Sequence, residues 1–127
     1  TEYIPGHVHM GTMGWVTMIL CASMYFMMAR IGGRGIHSEK LANLNFWLVL
    51  TGQLLFTATL WVAGIVQGAM WKATHPDGSL AYSFLDSVAA MYPFWTVRLL
   101  GGLLYFAGIV VFAYNLYMTA RPKAQAA

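Results

Sequence analysis

The segment Pro5-Gly6-His7-Val8-His9-Met10-Gly11 holds the side chains best suited to chemistry in this chain. Two imidazoles stand two positions apart, at the head of a stretch from Val8 to Ala29 without Asp, Glu, Lys or Arg. Pro5 and Gly6 suit the start of a helix. At about 100° per residue, His7 and His9 then point about 200° apart in the first turn of a span. A helix chelates one metal through i and i+3 or i+4, so this pair is poorly placed to share an ion. Each histidine can instead serve its own site on its own face. Gly11, Gly14 and Met18 lie within roughly 40° of His7, and the two glycines leave room for a flat macrocycle against the backbone. Met13, Val16 and Leu20 lie under His9 and can pack against the rim of another. Haem iron takes axial histidine readily, and buried haem suits apolar surroundings; two such irons would stand roughly 13 Å apart, close enough for fast electron exchange. Two plainer readings stay open here: hydrogen-bonded packing histidines at a membrane interface, and a surface copper or zinc site. Against them, ionisable groups within a membrane are costly and tend to be functional.

The elements that must carry these histidines follow from composition. The 127 residues are 59% hydrophobic and only 9% charged, against about 25% charge in a soluble domain. Leu41 to Trp71 and Leu99 to Ala120 also lack charged residues. Each of the three stretches exceeds the roughly 20 residues that cross a hydrocarbon core. The sequence therefore predicts an all-α membrane protein of three transmembrane helices, about 8–29, 45–71 and 95–119, with an outer loop 72–94. The second is long enough to tilt. Arg30, Arg34 and Lys40 lie between the first two spans, and Arg121 and Lys123 follow the third. The positive-inside rule puts those segments in the cytoplasm and the N-terminus and loop 72–94 outside. The net charge of +3 thus reports topology and implies no nucleic-acid partner. Trp47, Trp71, Tyr92 and Trp95 mark the interfaces.

Within loop 72–94, His75-Pro76-Asp77-Gly78 reads as a tight turn. Ser83 to Met91 reads as a short surface helix ended near Pro93. Ile31 to Gly35 is a glycine-rich, non-helical turn, and Pro122 to Ala127 is expected to be disordered. The start at Thr1, without a methionine, reads as a fragment or a processed product. Gln53, Gln67 and Asn115 read as interhelical hydrogen-bond partners, and Gly64 and Gly68 as a packing pair. Arg98, at the outer end of the third span, suits an anion such as a haem propionate or else snorkels to lipid headgroups. His37 and His75 read as solvated loop residues, and the nine methionines as packing. Cys21, the one cysteine, has no internal disulfide partner and reads as inert. Nucleophile triads, phosphate loops and paired carboxylates are missing from the sequence.

Gly6-His7-Val8-His9 followed by Gly14-Trp15-Val16 resembles the tenth helix of haem–copper oxidase catalytic subunits. Ser38-Glu39-Lys40-Leu41-Ala42-Asn43, Asn45-Phe46-Trp47-Leu48 and Gly64-Ile65-Val66-Gln67-Gly68-Ala69-Met70-Trp71 are similar to the C family, the cbb3-type cytochrome c oxidases. So are Tyr82-Ser83-Phe84, Val97-Arg98-Leu99-Leu100-Gly101-Gly102-Leu103-Leu104 and Tyr114-Asn115. The resemblance covers nearly the whole chain. It implies that residues 1–127 are the C-terminal three spans of a twelve-helix subunit I, whose tenth helix runs from outside to inside, as the charges here require. It assigns His7 as the axial ligand of a high-spin haem at the oxygen site and His9 as one axial ligand of a low-spin haem. Two b-type haems are implied, together with copper in the complete subunit, but no copper ligand falls in this chain. The implied activity is proton-pumping electron transfer from cytochrome c to oxygen in a bacterial inner membrane. The implied partners are the remaining nine-span part of subunit I, c-type cytochrome subunits and the lipid bilayer; the chain alone is expected to be inactive. Alternatives are the related nitric oxide reductase large subunit and a non-catalytic dihaem or scaffold protein of three spans.

Overall fold

A computed structural model describes residues 1–33 and 35–121 of the chain. Arg34, Lys123 and the tail expected to be disordered lie outside the described residues. The protein is all-helical: α1 (Tyr3–His9), a π-helical run (Met10–Val16), α2 (Thr17–Ile31), α3 (Glu39–Lys72) and α4 (Phe84–Ala120). α1, the π-helical run and α2 are continuous, so among the described residues three helices are long and apolar enough to span a bilayer.

Each helix outruns its expected bounds, for identifiable reasons. The first begins at Tyr3 rather than near residue 8. Pro5 stands in its first turn, where a missing N–H costs nothing. α3 begins at Glu39 because the Ser38 hydroxyl caps it, accepting from the Leu41 N–H at 3.3 Å, as N-cap serines do. The larger correction concerns α4. The surface helix expected over 83–91 and the third span are one helix, with Pro93 inside it. A reciprocal capping box starts it: the Ser83 hydroxyl accepts from the Asp86 N–H, and the Asp86 carboxylate accepts from the Ser83 N–H. Met91 is fully buried, and Ser87 accepts from the Trp71 indole at 3.0 Å. These anchors hold the helix through the proline, which deletes a single backbone donor.

The loop expected over 72–94 therefore shrinks to residues 73–83. Its expected turn is present: the Gly78 N–H donates to the His75 carbonyl at 2.9 Å, and Gly78 sits at φ 82°, a left-handed conformation suited to glycine. The Ser79 hydroxyl and N–H both donate to Asp77 and hold its carboxyl below the usual range. The glycine turn expected after the first span is also present. Gly33, at φ 60°, follows the Gly32 cap of α2.

α3 is the central helix. Of its most apolar stretch 44% is buried, against 11% for each of the other two spans. Small residues bring α4 onto it. A Cβ on Gly101 would lie 2.7 Å from the Phe56 backbone nitrogen and 2.9 Å from the Gly52 carbonyl. Asn45 donates to the Gly108 carbonyl at 2.9 Å. Toward the C-terminal end of α3, Gly64 meets the backbone of Tyr3, while Gly68 faces Thr1. The packing role expected of Gly64 and Gly68 is thus filled by the start of α1. The three expected interhelical amides are also in use. Gln67 accepts from the Glu2 N–H, and Gln53 donates to the His9 carbonyl. Asn115 both accepts from and donates to the Ser38 backbone. Gly101 and Asn115 are thus satisfied within the chain.

Gly101→Leu should cost about 3 kcal/mol or more, because the clash is with backbone that cannot rotate away. Gly102→Ala should be tolerated, since its Cβ meets only the Phe56 ring edge at 3.8 Å. Detergent unfolding of the two variants checks the contrast.

Candidate functional site

His7 and His9 end α1 just above the π-helical run, rather than standing in the first turn of the span. Their surroundings differ, with Gln53 common to both. His7 is exposed and lines a cavity of about 530 Å³ with Gly11, Gly14, Trp15, Met18 and Ile19 of its own helix. Leu50, Gln53 and Leu54 of α3 form the opposite wall. This volume lies within the roughly 300–1,000 Å³ of ordinary ligand sites. Nothing lies within 4 Å of where a Gly11 Cβ would stand, so a flat apolar group can approach the backbone there. His9 is half-buried. Its ring lies 5.2 Å from that of Phe56, and Nδ1 is 2.6 Å from the Pro5 carbonyl oxygen. A carbonyl can only accept, so Nδ1 is the donor in this bond, and Nε2 is the ring nitrogen left for another partner. Metal-ligating histidines commonly fix their tautomer through such a bond.

The cavity unites His7 with Gly11, Gly14 and Met18, the face expected from the sequence. It also takes in Trp15 and Ile19, each one position further on, which a regular α-helix would not predict. The π-helical run accounts for the difference. Each π-turn holds an extra residue, so the helix below the run is rotated by about one residue, roughly 100°. Gly11, Thr12 and Gly14 are weak α-formers, and they are the local signal for the irregularity.

A π-run exposes carbonyls that lipid cannot satisfy; here side chains bond those of Val8, His9, Thr12 and Met13. Thr12 donates to Val8 at 3.0 Å and Thr17 to Thr12 at 3.4 Å. From α3, Gln53 Nε2 donates to the His9 carbonyl at 3.1 Å and to Thr57 at 2.7 Å. From α4, the Tyr105 hydroxyl lies 3.2 Å from the Met13 carbonyl and 2.8 Å from the Thr17 hydroxyl. Gln53 is 3% exposed, and its Oε1, at the cavity wall, has no partner among the described residues.

Arg98 sits away from the cavity. Its Nη1 is 3.7 Å from the Glu2 carboxylate, which also accepts from Trp95 Nε1 at 3.1 Å. No local sequence pattern points to Glu2 as its neighbour. The ion pair is long and partly exposed, which leaves most of the five guanidinium donors available. Among the described residues no three His, Cys, Asp or Glu side chains gather in one place. Single axial ligation needs no such cluster, because a porphyrin supplies the remaining in-plane donors.

The family model for Cytochrome C and Quinol oxidase polypeptide I matches residues 1–104. A cbb3-type cytochrome c oxidase subunit of Stutzerimonas stutzeri is 43% identical over 122 residues, 95% of this chain and 26% of that protein. Cytochrome c oxidase subunit 1 of Rhodobacter capsulatus is 42% identical over 126 residues, 97% of this chain and 24% of that protein. A nitric oxide reductase subunit of Stutzerimonas stutzeri is more distant, at 25% over 125 residues, 95% of this chain and 26% of that protein. The chain spans about a quarter of the length of the curated relatives it matches. With three membrane-spanning helices, a match over most of its length and close identity to oxidase subunits, this chain belongs to the cytochrome c and quinol oxidase polypeptide I family.

Proposed function

We propose that the chain forms the last three spans of the catalytic subunit of a cbb3-type terminal respiratory oxidase. In this reading His7 is the axial ligand of a high-spin haem at the oxygen site, and His9 is one axial ligand of a low-spin haem. The observation that carries it is the divergence of the two rings. His7 faces an apolar cavity edged by Gly11, while His9 spends Nδ1 on Pro5 and keeps Nε2 for a metal. When bound, two b-type haems would relay electrons from a c-type cytochrome to oxygen, which takes four electrons and four protons to become two waters. Copper and the second low-spin ligand belong to spans outside this chain.

The chain's own residues would hold and tune these groups. The His9–Pro5 bond would fix the orientation of the ring and leave Nε2 as the nitrogen that meets a metal. The apolar lining around His7 would keep water from a haem held there. Arg98 would supply guanidinium donors to a haem propionate at the outer end while sharing its charge with Glu2. The charges put the N-terminus outside and the loop between α2 and α3 in the cytoplasm of a bacterial inner membrane. Partners are the nine-span remainder of subunit I and c-type cytochrome subunits, without which the chain would not turn over oxygen. The nitric oxide reductase alternative stands further off in sequence, at 25% identity against 43%.

In the assembled oxidase, His7→Ala should abolish the high-spin haem signal and oxygen reduction. His9→Ala should abolish the low-spin signal and electron input. Optical and magnetic spectra of the reduced and oxidised enzyme report both, and a variant retaining both native haem spectra would refute the assignment. Arg98→Gln should lower a haem midpoint potential, since a nearby positive charge favours the less positive reduced haem. An unchanged potential in the assembled enzyme would leave Arg98 as a lipid-facing residue.

A further inference from the structure

The π-helical run starts at the residue after His9 and is held from two directions. From α3, Gln53 bonds the carbonyl of His9 itself. From α4, Tyr105 bonds Met13, four residues further on, together with Thr17 just below the run. Gln53 is doubly engaged, because the same side chain also forms part of the cavity wall facing His7. A π-turn bonds less favourably than an α-turn and tends to persist where surrounding contacts fix it. If the run relaxed to an α-helix, the histidine pair would rotate by about 100° relative to α2, one residue of helical phase. Both imidazoles would then leave the directions in which the structure holds them.

We infer that Gln53 and Tyr105 are positioning residues for the histidine pair: they keep the π-helical run and so set the azimuth at which His7 and His9 meet their irons. This rests on the ligand assignment proposed above. Gln53 acts on both sides of the helix, through the His9 carbonyl and through the His7 cavity. Tyr105 acts from below, through Met13 and Thr17. Neither residue touches a reacting atom. Their contribution is the angle between each imidazole and its porphyrin, which affects spectra before it affects occupancy.

The test uses the complete assembled oxidase carrying Gln53→Met, Tyr105→Phe or both, with Thr51→Val as control. The Thr51 hydroxyl bonds back to the Trp47 carbonyl on an exposed face of α3, away from the run. The readouts are haem content, the electron paramagnetic signal of the low-spin haem and the iron–histidine stretch of the reduced high-spin haem. The expected result is native haem content with Tyr105→Phe, a displaced low-spin signal and a shifted stretch in each single variant. The double variant should shift further, and Thr51→Val should match the native enzyme. Native signals in both single variants and the double overturn the inference. So does loss of haem in Tyr105→Phe without a spectral shift in what remains, which would mean a packing role alone. If Gln53→Met fails to assemble, Tyr105→Phe decides, since it removes one oxygen atom and keeps the ring. His9→Ala in the same background keeps the two failures apart. A native low-spin signal there refutes the ligand assignment. Its loss alongside native clamp variants refutes only the positioning role.

Discussion

Inside a bilayer every backbone carbonyl must find a hydrogen bond without water's help. A regular α-helix meets that demand by itself, and α3 and most of α4 do so. The first span does not, because its π-helical run offers carbonyls to its flank. The rest of the structure is arranged to meet them. Gln53, Thr57 and Tyr105 would be awkward on lipid-facing helices, but they reach the run or support the side chain that does. Interhelical bonds of this kind contribute about 0.6 kcal/mol on average and up to about 1.7. That is small against the cost of removing a span from lipid, yet enough to choose between two helical phases. They therefore act on specificity of geometry more than on stability.

The same economy explains why α3 is central. Helices in lipid gain little from hydrophobic contact, so close approach depends on small residues and polar bonds. Gly52 and Gly101 admit α4, and Gly64 admits the start of α1. Between those glycine crossings, Gln53 and Phe56 of α3 each meet the histidine pair, one through the His9 carbonyl and the other through the His9 ring. The first span and α4 leave broad apolar faces open, including Trp15, Ile19, Leu103 and Phe106, as spans that join a larger bundle would.

The membrane class, the number of spans and the divergence of His7 from His9 are legible in the sequence because they follow from charge-free run lengths and helical angles. The bounds of α4 are not. Pro93 reads locally as a terminator, whereas the Ser83–Asp86 box and the buried Met91 carry the helix past it. That box stands in plain view as Ser83-Phe84-Leu85-Asp86, a start signal masked by the interfacial character of the stretch. The π-helical run is harder to read, since Gly11, Thr12 and Gly14 permit it without requiring it. What requires it is Gln53 and Tyr105, whose bonds to the run span 44 and 92 residues of chain, and no local pattern carries that information. The pairing of Arg98 with Glu2 is non-local in the same way.

One helix turn delivering two histidines to two different irons is the central claim. A density map of the assembled oxidase, fine enough to show ring orientation, tests it most directly. Two macrocycles should stand on opposite sides of α1, one against Gly11 bound through His7 and the other bound through Nε2 of His9. Nδ1 of His9 should stay on the Pro5 carbonyl, and the run below should remain π-helical. A single haem bound by both histidines, or either imidazole turned away from iron, would contradict the claim.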